Sequence, residues 1–191
     1  MTLHTARAAI PSSAEWIGRG LALALGGSLL LAVSAKVQVP FYPVPLTLQT
    51  LVVLLIGAAL GARLAAASVA LYLIEGLAGL PVFAGAVAGP LYLAGPTGGF
   101  LVGFLAAAAL IGFAADRRWD RTWIRLLISL SFGHAVIFAF GFVWLAQLIG
   151  PGKAFAAGVA PFVLATIVKT LLAAALVRAG RSMAGRMSRV A

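Results

Sequence analysis

Six apolar runs divide this chain, at about 18–35, 46–60, 64–77, 98–115, 123–149 and 156–177. None alternates as a half-buried strand would, and runs of roughly 20 apolar residues with few charges read as membrane-crossing helices. The pattern predicts an all-α integral membrane protein with six transmembrane helices in a single membrane domain, 1–191. Two of the runs are short. Some 15 residues at about 1.5 Å each give the second and third only about 22 Å, against a hydrocarbon core of about 30 Å. The fifth, Trp123 to Ile149, is long enough to span with tilt or to project beyond the lipid.

Between the third and fourth runs lies a stretch that fits neither description. GLPVFAGAVAGPLYLAGPTGGF (79–100) is uncharged and apolar, yet Gly and Pro interrupt it nine times. Glycine costs about 1 kcal/mol and proline about 3 kcal/mol inside a helix. This is therefore irregular backbone that avoids water. At membrane depth such backbone persists only where protein buries it or where it lines a polar cavity. Short helices beside it suggest a cavity that it roofs. The connection KVQVPFYPVP (36–45) is likewise extended and punctuated by proline.

Composition agrees with a membrane protein: 63% of residues are hydrophobic and 9% charged. The net charge of +10 does not point to nucleic acid, because the basic residues sit at the ends of apolar runs without interleaved aromatics. They report topology and attraction to the lipid bilayer instead. Eleven arginines (7, 19, 63, 117, 118, 121, 125, 178, 181, 186 and 189) fall on the side of the termini and loops 2–3 and 4–5. Only Lys36 and Lys153 fall opposite, so both termini are expected in the cytoplasm and the Gly/Pro-rich segment outside. AVSA (32–35) resembles a signal-peptide cleavage site, but the preceding run is longer than a usual h-region and a membrane pattern continues beyond Lys36, so the run is read as a retained helix. Trp16 is expected to anchor it at the interface. With no cysteine there are no disulfides and no thiolate chemistry.

Lys169 is the sharpest candidate for chemistry. An ammonium inside the sixth apolar run is costly in lipid. It is either aimed at an anionic ligand group such as a carboxylate, or it snorkels to the cytoplasmic surface or pairs with Glu75. Glu75, near the outer end of the third run, either reaches interfacial water or serves a pocket. His134, among Ser131, Gly133 and Ala135, is expected to make an intramembrane hydrogen bond rather than relay protons or contact a ligand. Thr47 and Gln49 serve either a ligand or another helix. Tyr42, Phe83 and Tyr92 flank the irregular segment and either wall a pocket or simply pack. Ala22/Gly26 and Ala24/Ser28 on the first helix are small pairs that admit close helix approach. No P-loop, HExxH or GxSxG motif occurs, and no second ligand at suitable spacing makes His134 a metal site. No cofactor is implied.

Three blocks carry a resemblance: PVPLTLQTL (43–51), LGARLAAASVALYLIEGLAGLPVFAG (60–85) and LAGPTGGFLVGF (93–104). They resemble the signature blocks of BioY, the biotin-binding S component of energy-coupling-factor (ECF) vitamin transporters. APFVLATIVK (160–169) is similar to the family's Pro-Phe-x-x-Gly-Asp-x-x-Lys block, matching at Pro161, Phe162 and Lys169. Ala165 stands where glycine is usual. Thr166 replaces an aspartate thought to bind the ureido ring, and its hydroxyl can donate and accept without supplying a charge-assisted bond.

The resemblance implies a non-enzymatic substrate-capture component of a biotin uptake transporter in the cell (inner) membrane. Biotin would be taken from outside into a pocket built by Lys169, Gln49, Thr166, Phe83, Gly85, Tyr92 and Tyr42. Ala22 and Gly26 would dock an ECF transmembrane coupling protein, whose two ATPase subunits drive transport. Rival readings are an S component for another small carboxylate vitamin, an intramembrane enzyme using His134 and Glu75, and a membrane scaffold that binds nothing small.

Overall fold

The computed structural model describes the backbone of residues 13–190 and the side chains of 17–187. Arg7 lies outside the described residues, as do the side chains of Glu15, Trp16 and Arg189. In chain order the elements are α1 (Ser13–Lys36), β1 (Gln38–Val39), β2 (Leu46–Thr47), α2 (Gln49–Leu77), α3 (Pro90–Ala94) and α4 (Gly98–Asp116). A 3-10 turn (Trp119–Arg121) leads into α5 (Trp123–Ile149) and α6 (Pro151–Gly158). A second 3-10 turn (Ala160–Phe162) leads into α7 (Val163–Val190).

Among the described residues, five helical stretches are long and apolar enough to cross a membrane, and one of them, α2, is folded in two. Gln49 and Tyr72 lie 23 residues apart, about 35 Å along a straight helix. Yet the Gln49 amide donates to the Tyr72 hydroxyl at 2.7 Å. The fold occurs at Gly61, the one non-helical residue within α2, with φ 75° and ψ 174°. The two arms, 49–60 and 62–77, are the second and third of six helical segments in a multi-pass membrane protein.

The turn is held from α4. The Asp116 carboxylate accepts the Ala62 N–H at 3.1 Å, capping the second arm. Gly112 lies directly beneath, where a Cβ would strike the Ala62 backbone. The arms of α2 make their most extensive packing against α4. Around them the core gathers Val53, Val69, Tyr72, Phe83, Phe104 and Ile137, all buried.

The final apolar run differs from the predicted 156–177. It is divided into α6, a 3-10 turn at Pro161 and α7, which continues to Val190. Proline supplies no N–H, so Pro151 and Pro161 both stand at helix starts, where that N–H is not needed.

Charge divides the two ends of the bundle. At one end Arg181 pairs with buried Asp120, Arg178 donates to the Arg121 carbonyl at 3.4 Å, and the Gly61 turn abuts Asp116. The connections 37–48, 78–89 and 159–162 gather at the other. There β1 and β2 pair antiparallel, Gln38 opposite Thr47 and Val39 opposite Leu46.

Gly61 occupies a region of backbone space essentially closed to side chains, where strain costs about 1–3 kcal/mol. Its Cβ would also meet the Asp116 carboxylate. Gly61→Ala should therefore lower the unfolding temperature in detergent, whereas Gly180→Ala, with open space around it inside α7, should not lower it.

Candidate functional site

The irregular segment 78–89 has few regular backbone partners, and side chains from three helices supply its hydrogen bonds and those of the residues that follow. Lys36 at the end of α1 donates to the Phe83 carbonyl at 2.7 Å and the Gly85 carbonyl at 3.1 Å. Tyr72 on α2 donates to the Val82 carbonyl at 3.3 Å. Just beyond, Trp144 on α5 donates to the Gly95 carbonyl at 2.9 Å. The backbone itself adds Gly89 N–H to the Gly76 carbonyl at 2.8 Å. Aromatic packing completes the anchorage. Phe83 is fully buried, edge-on to Tyr72 at 5.4 Å and stacked on Tyr92 at 4.7 Å.

Beneath this roof lies a narrow cavity. Thr47, Gln49, Thr50, Tyr92, Thr97, Thr166 and Lys169 give it polar groups. Val44, Pro45, Ala84, Phe100, Leu101, Phe104, Ile137, Phe138, Phe162 and Ala165 give it apolar walls. Its volume is ≈ 50 Å³. That is room for about four waters.

Side chains on an α-helix lean toward its N-terminus, and α7 enters from the roofed end. Lys169 therefore reaches toward the roof rather than the arginine-rich end. Its ammonium donates to the Thr47 carbonyl at 2.6 Å and to the Thr50 hydroxyl at 3.0 Å. Neither acceptor is charged. Of the four acidic residues, the three with described side chains are engaged elsewhere. Glu75 accepts from Ser28, Asp116 caps the second arm of α2, and Asp120 pairs with Arg181. Among the described residues, then, Lys169 has no counter-anion, and pairing with Glu75 and snorkelling toward the cytoplasmic surface are both set aside.

Gln49 is held in a directional chain. The Thr47 hydroxyl donates to the Gln49 carbonyl oxygen at 3.1 Å, the Gln49 amide donates to Tyr72, and Tyr72 donates to Val82. This orients the amide beside the cavity and leaves it a further N–H and a further lone pair. Tyr92, on the short α3, lines the same space. Burial pushes its phenol up from the ordinary value, so it stays a neutral hydrogen-bonding group.

The structure thus brings together Lys169, Gln49, Thr166 and Tyr92. It separates the other candidates. Phe83 stands behind Tyr92 and supports the wall without forming it. Gly85 lines an outer cleft between the 38–45 and 84–97 segments. Tyr42 is 94% exposed and touches neither space, so the expectation that it walls the pocket is corrected. In an irregular hairpin nothing in residue spacing says which way a ring turns.

His134 Nδ1 lies 2.9 Å from the Thr170 hydroxyl, which itself donates to the Thr166 carbonyl, so the imidazole donates from Nδ1. It lines a separate groove between α5 and α7, and Glu75 lines neither space. The two are not assembled into one reactive centre.

Sequence reasoning did not single out Thr50, Thr97 or the phenylalanines at 100, 104 and 138. Thr50 had a visible signal, as a third polar residue beside Thr47 and Gln49 in an apolar run. Apolar wall residues had none, because a phenylalanine facing a cavity and one facing lipid look alike in sequence.

The small pair on α1 lies open. Ala22 and Gly26 border an apolar groove between α1 and the first arm of α2, and nothing stands within 4 Å of where a Gly26 Cβ would be.

Known proteins share both sequence and shape with this chain. A probable biotin transporter BioY from Pyrococcus horikoshii is 41% identical over 144 residues, covering 75% of this chain and 85% of the relative. The biotin transporter BioY of Thermotoga maritima is 38% identical over 146 residues, covering 76% and 85%. The crystal structure of the S-component for biotin from an ECF-type ABC transporter superposes with a TM-score of 0.78 at 25% identity. That match covers 91% of this chain and 95% of the other. The BioY family profile matches residues 7–186, nearly the whole length over which the six helical segments and the roofed cavity are built, and the chain belongs to the BioY family.

Proposed function

We propose that this chain works as one membrane domain that captures biotin from the outer face of the cell (inner) membrane and passes it across with an ECF coupling module. It is a transport component, not an enzyme. One observation carries the reading: a lysine ammonium without a counter-anion among the described residues, inside a cavity otherwise apolar or neutral. Biotin is an apolar bicycle with a ureido group and a carboxylate tail. The carboxylate supplies the missing charge. It replaces two neutral acceptors on Lys169 with an ionised one, which makes bonds roughly twice as strong. Gln49, Thr166 and Tyr92 offer neutral donors and acceptors to the ureido group, and the phenylalanine and aliphatic walls receive the rings.

The arginine-rich end faces the cytoplasm on the positive-inside rule, which turns the roof outward and makes the site one of uptake. The sequence carries no P-loop motif, and the family membership supports partners as the energy source: a transmembrane coupling protein seated on the Ala22/Gly26 groove, and its two ATPase subunits. A second reading, a site for another small carboxylate vitamin, is favoured by Thr166, whose hydroxyl replaces the family's aspartate at the head-group contact.

Lys169→Ala should weaken biotin binding at least tenfold, about 1.4 kcal/mol, in a calorimetric titration of purified protein. Equal curves for variant and parent would remove Lys169 from the site. The charge itself is tested with a neutral ligand. Biotin methyl ester should bind the parent more weakly than biotin does, and Lys169→Ala should cost that ester little, as expected when both changes delete one interaction. Thr166→Val, which keeps the shape and deletes the hydroxyl, should cost about 1 kcal/mol.

A further inference from the structure

The cation at the end of α1 has a role beyond reporting topology. Lys36 holds the carbonyls of Phe83 and Gly85, the two residues on either side of Ala84. Ala84 is 5% exposed and lines the cavity, and Phe83 stacks on Tyr92, which lines it too. One ammonium therefore fixes two neighbouring pieces of the wall. Gly85 has φ 78°, a conformation that favours glycine, and its carbonyl is one of the pair that Lys36 holds. The chain contains no carboxylate side chain anywhere in 76–115, so no acidic residue of the roof competes for Lys36.

We infer that Lys36 is a positioning residue for the site: it clamps the 83–85 backbone and thereby holds the Ala84–Tyr92 wall closed over a bound ligand. This rests on the reading of the cavity as a biotin site. The clamp acts after the ligand has entered, so its signature is in the rate of release. A different role is also available to a lysine on the outer face, long-range attraction of an anionic ligand, and that role acts on the rate of entry and weakens with salt.

The experiment is stopped-flow or surface-based kinetics of biotin binding to the full chain in detergent, comparing parent, Lys36→Met and Lys36→Arg. Lys36→Met should release biotin about tenfold faster, in keeping with affinity changes that fall mainly on dissociation, with association within about twofold of the parent. Lys36→Arg, whose planar fork also reaches two carbonyls, should restore slow release. Unchanged release from Lys36→Met would overturn the clamp. So would slower, salt-sensitive association with parental release, which would assign Lys36 to attraction of the ligand. If Lys36→Met unfolds, the comparison of Lys36→Arg with Lys36→Gln decides. Slow release from the first and fast release from the second support the clamp, and equal rates refute it. Failure of the parent itself to bind biotin would instead overturn the proposed function, independently of Lys36.

Discussion

Backbone without regular structure must find hydrogen-bond partners wherever water is scarce, and in this protein that requirement organises one end of the bundle. The 79–97 segment is apolar in its side chains but polar in every peptide unit. Its carbonyls at Val82, Phe83, Gly85 and Gly95 are met by Tyr72, Lys36 and Trp144, from three different helices. Each donor is itself positioned by an element of the bundle, so the roof inherits the rigidity of α1, α2 and α5. The fold of α2 at Gly61 is what creates room below. Two short arms leave the end of the bundle opposite Gly61 to the loops, and the cavity lies where helices end and loops begin.

The second organising constraint is charge. The chain has four acidic residues in 191, and every described carboxylate is already engaged within the fold, in a helix cap, an ion pair to Arg181 or a bond to Ser28. Lys169 is left with a carbonyl and a hydroxyl. A partly buried charge held only by neutral dipoles gains from an anionic partner. The narrowness of the cavity belongs to the same arrangement, because the Lys169 side chain crosses from α7 to the Thr47–Thr50 segment.

Much of this was legible in the sequence for physical reasons. Glycine and proline density excluded one continuous helix over 79–100, arginine placement separated the two ends, and a lysine within an apolar run marked a position that needed a partner. The gap between the second and third apolar runs, 61–63, was readable, and the structure bends at its first residue. What resisted reading was direction. Tyr42, Phe83 and Tyr92 are all aromatic and all near the irregular segment, but one is exposed, one is buried behind the wall and one lines the cavity. The break before α7 was hidden by hydropathy, which stays high across Pro161 although the helix does not continue. Lys36 looked like a topological marker because its partners are carbonyls, which every residue has.

The most direct measurement is to purify the protein in mild detergent from biotin-replete cells and identify, by mass spectrometry, the small molecule it carries. The expected result is biotin, chemically unchanged, retained by the parent protein and lost when Lys169 is replaced by alanine. A different carboxylate, a converted product, or biotin carried equally by both proteins would contradict the capture of biotin through Lys169.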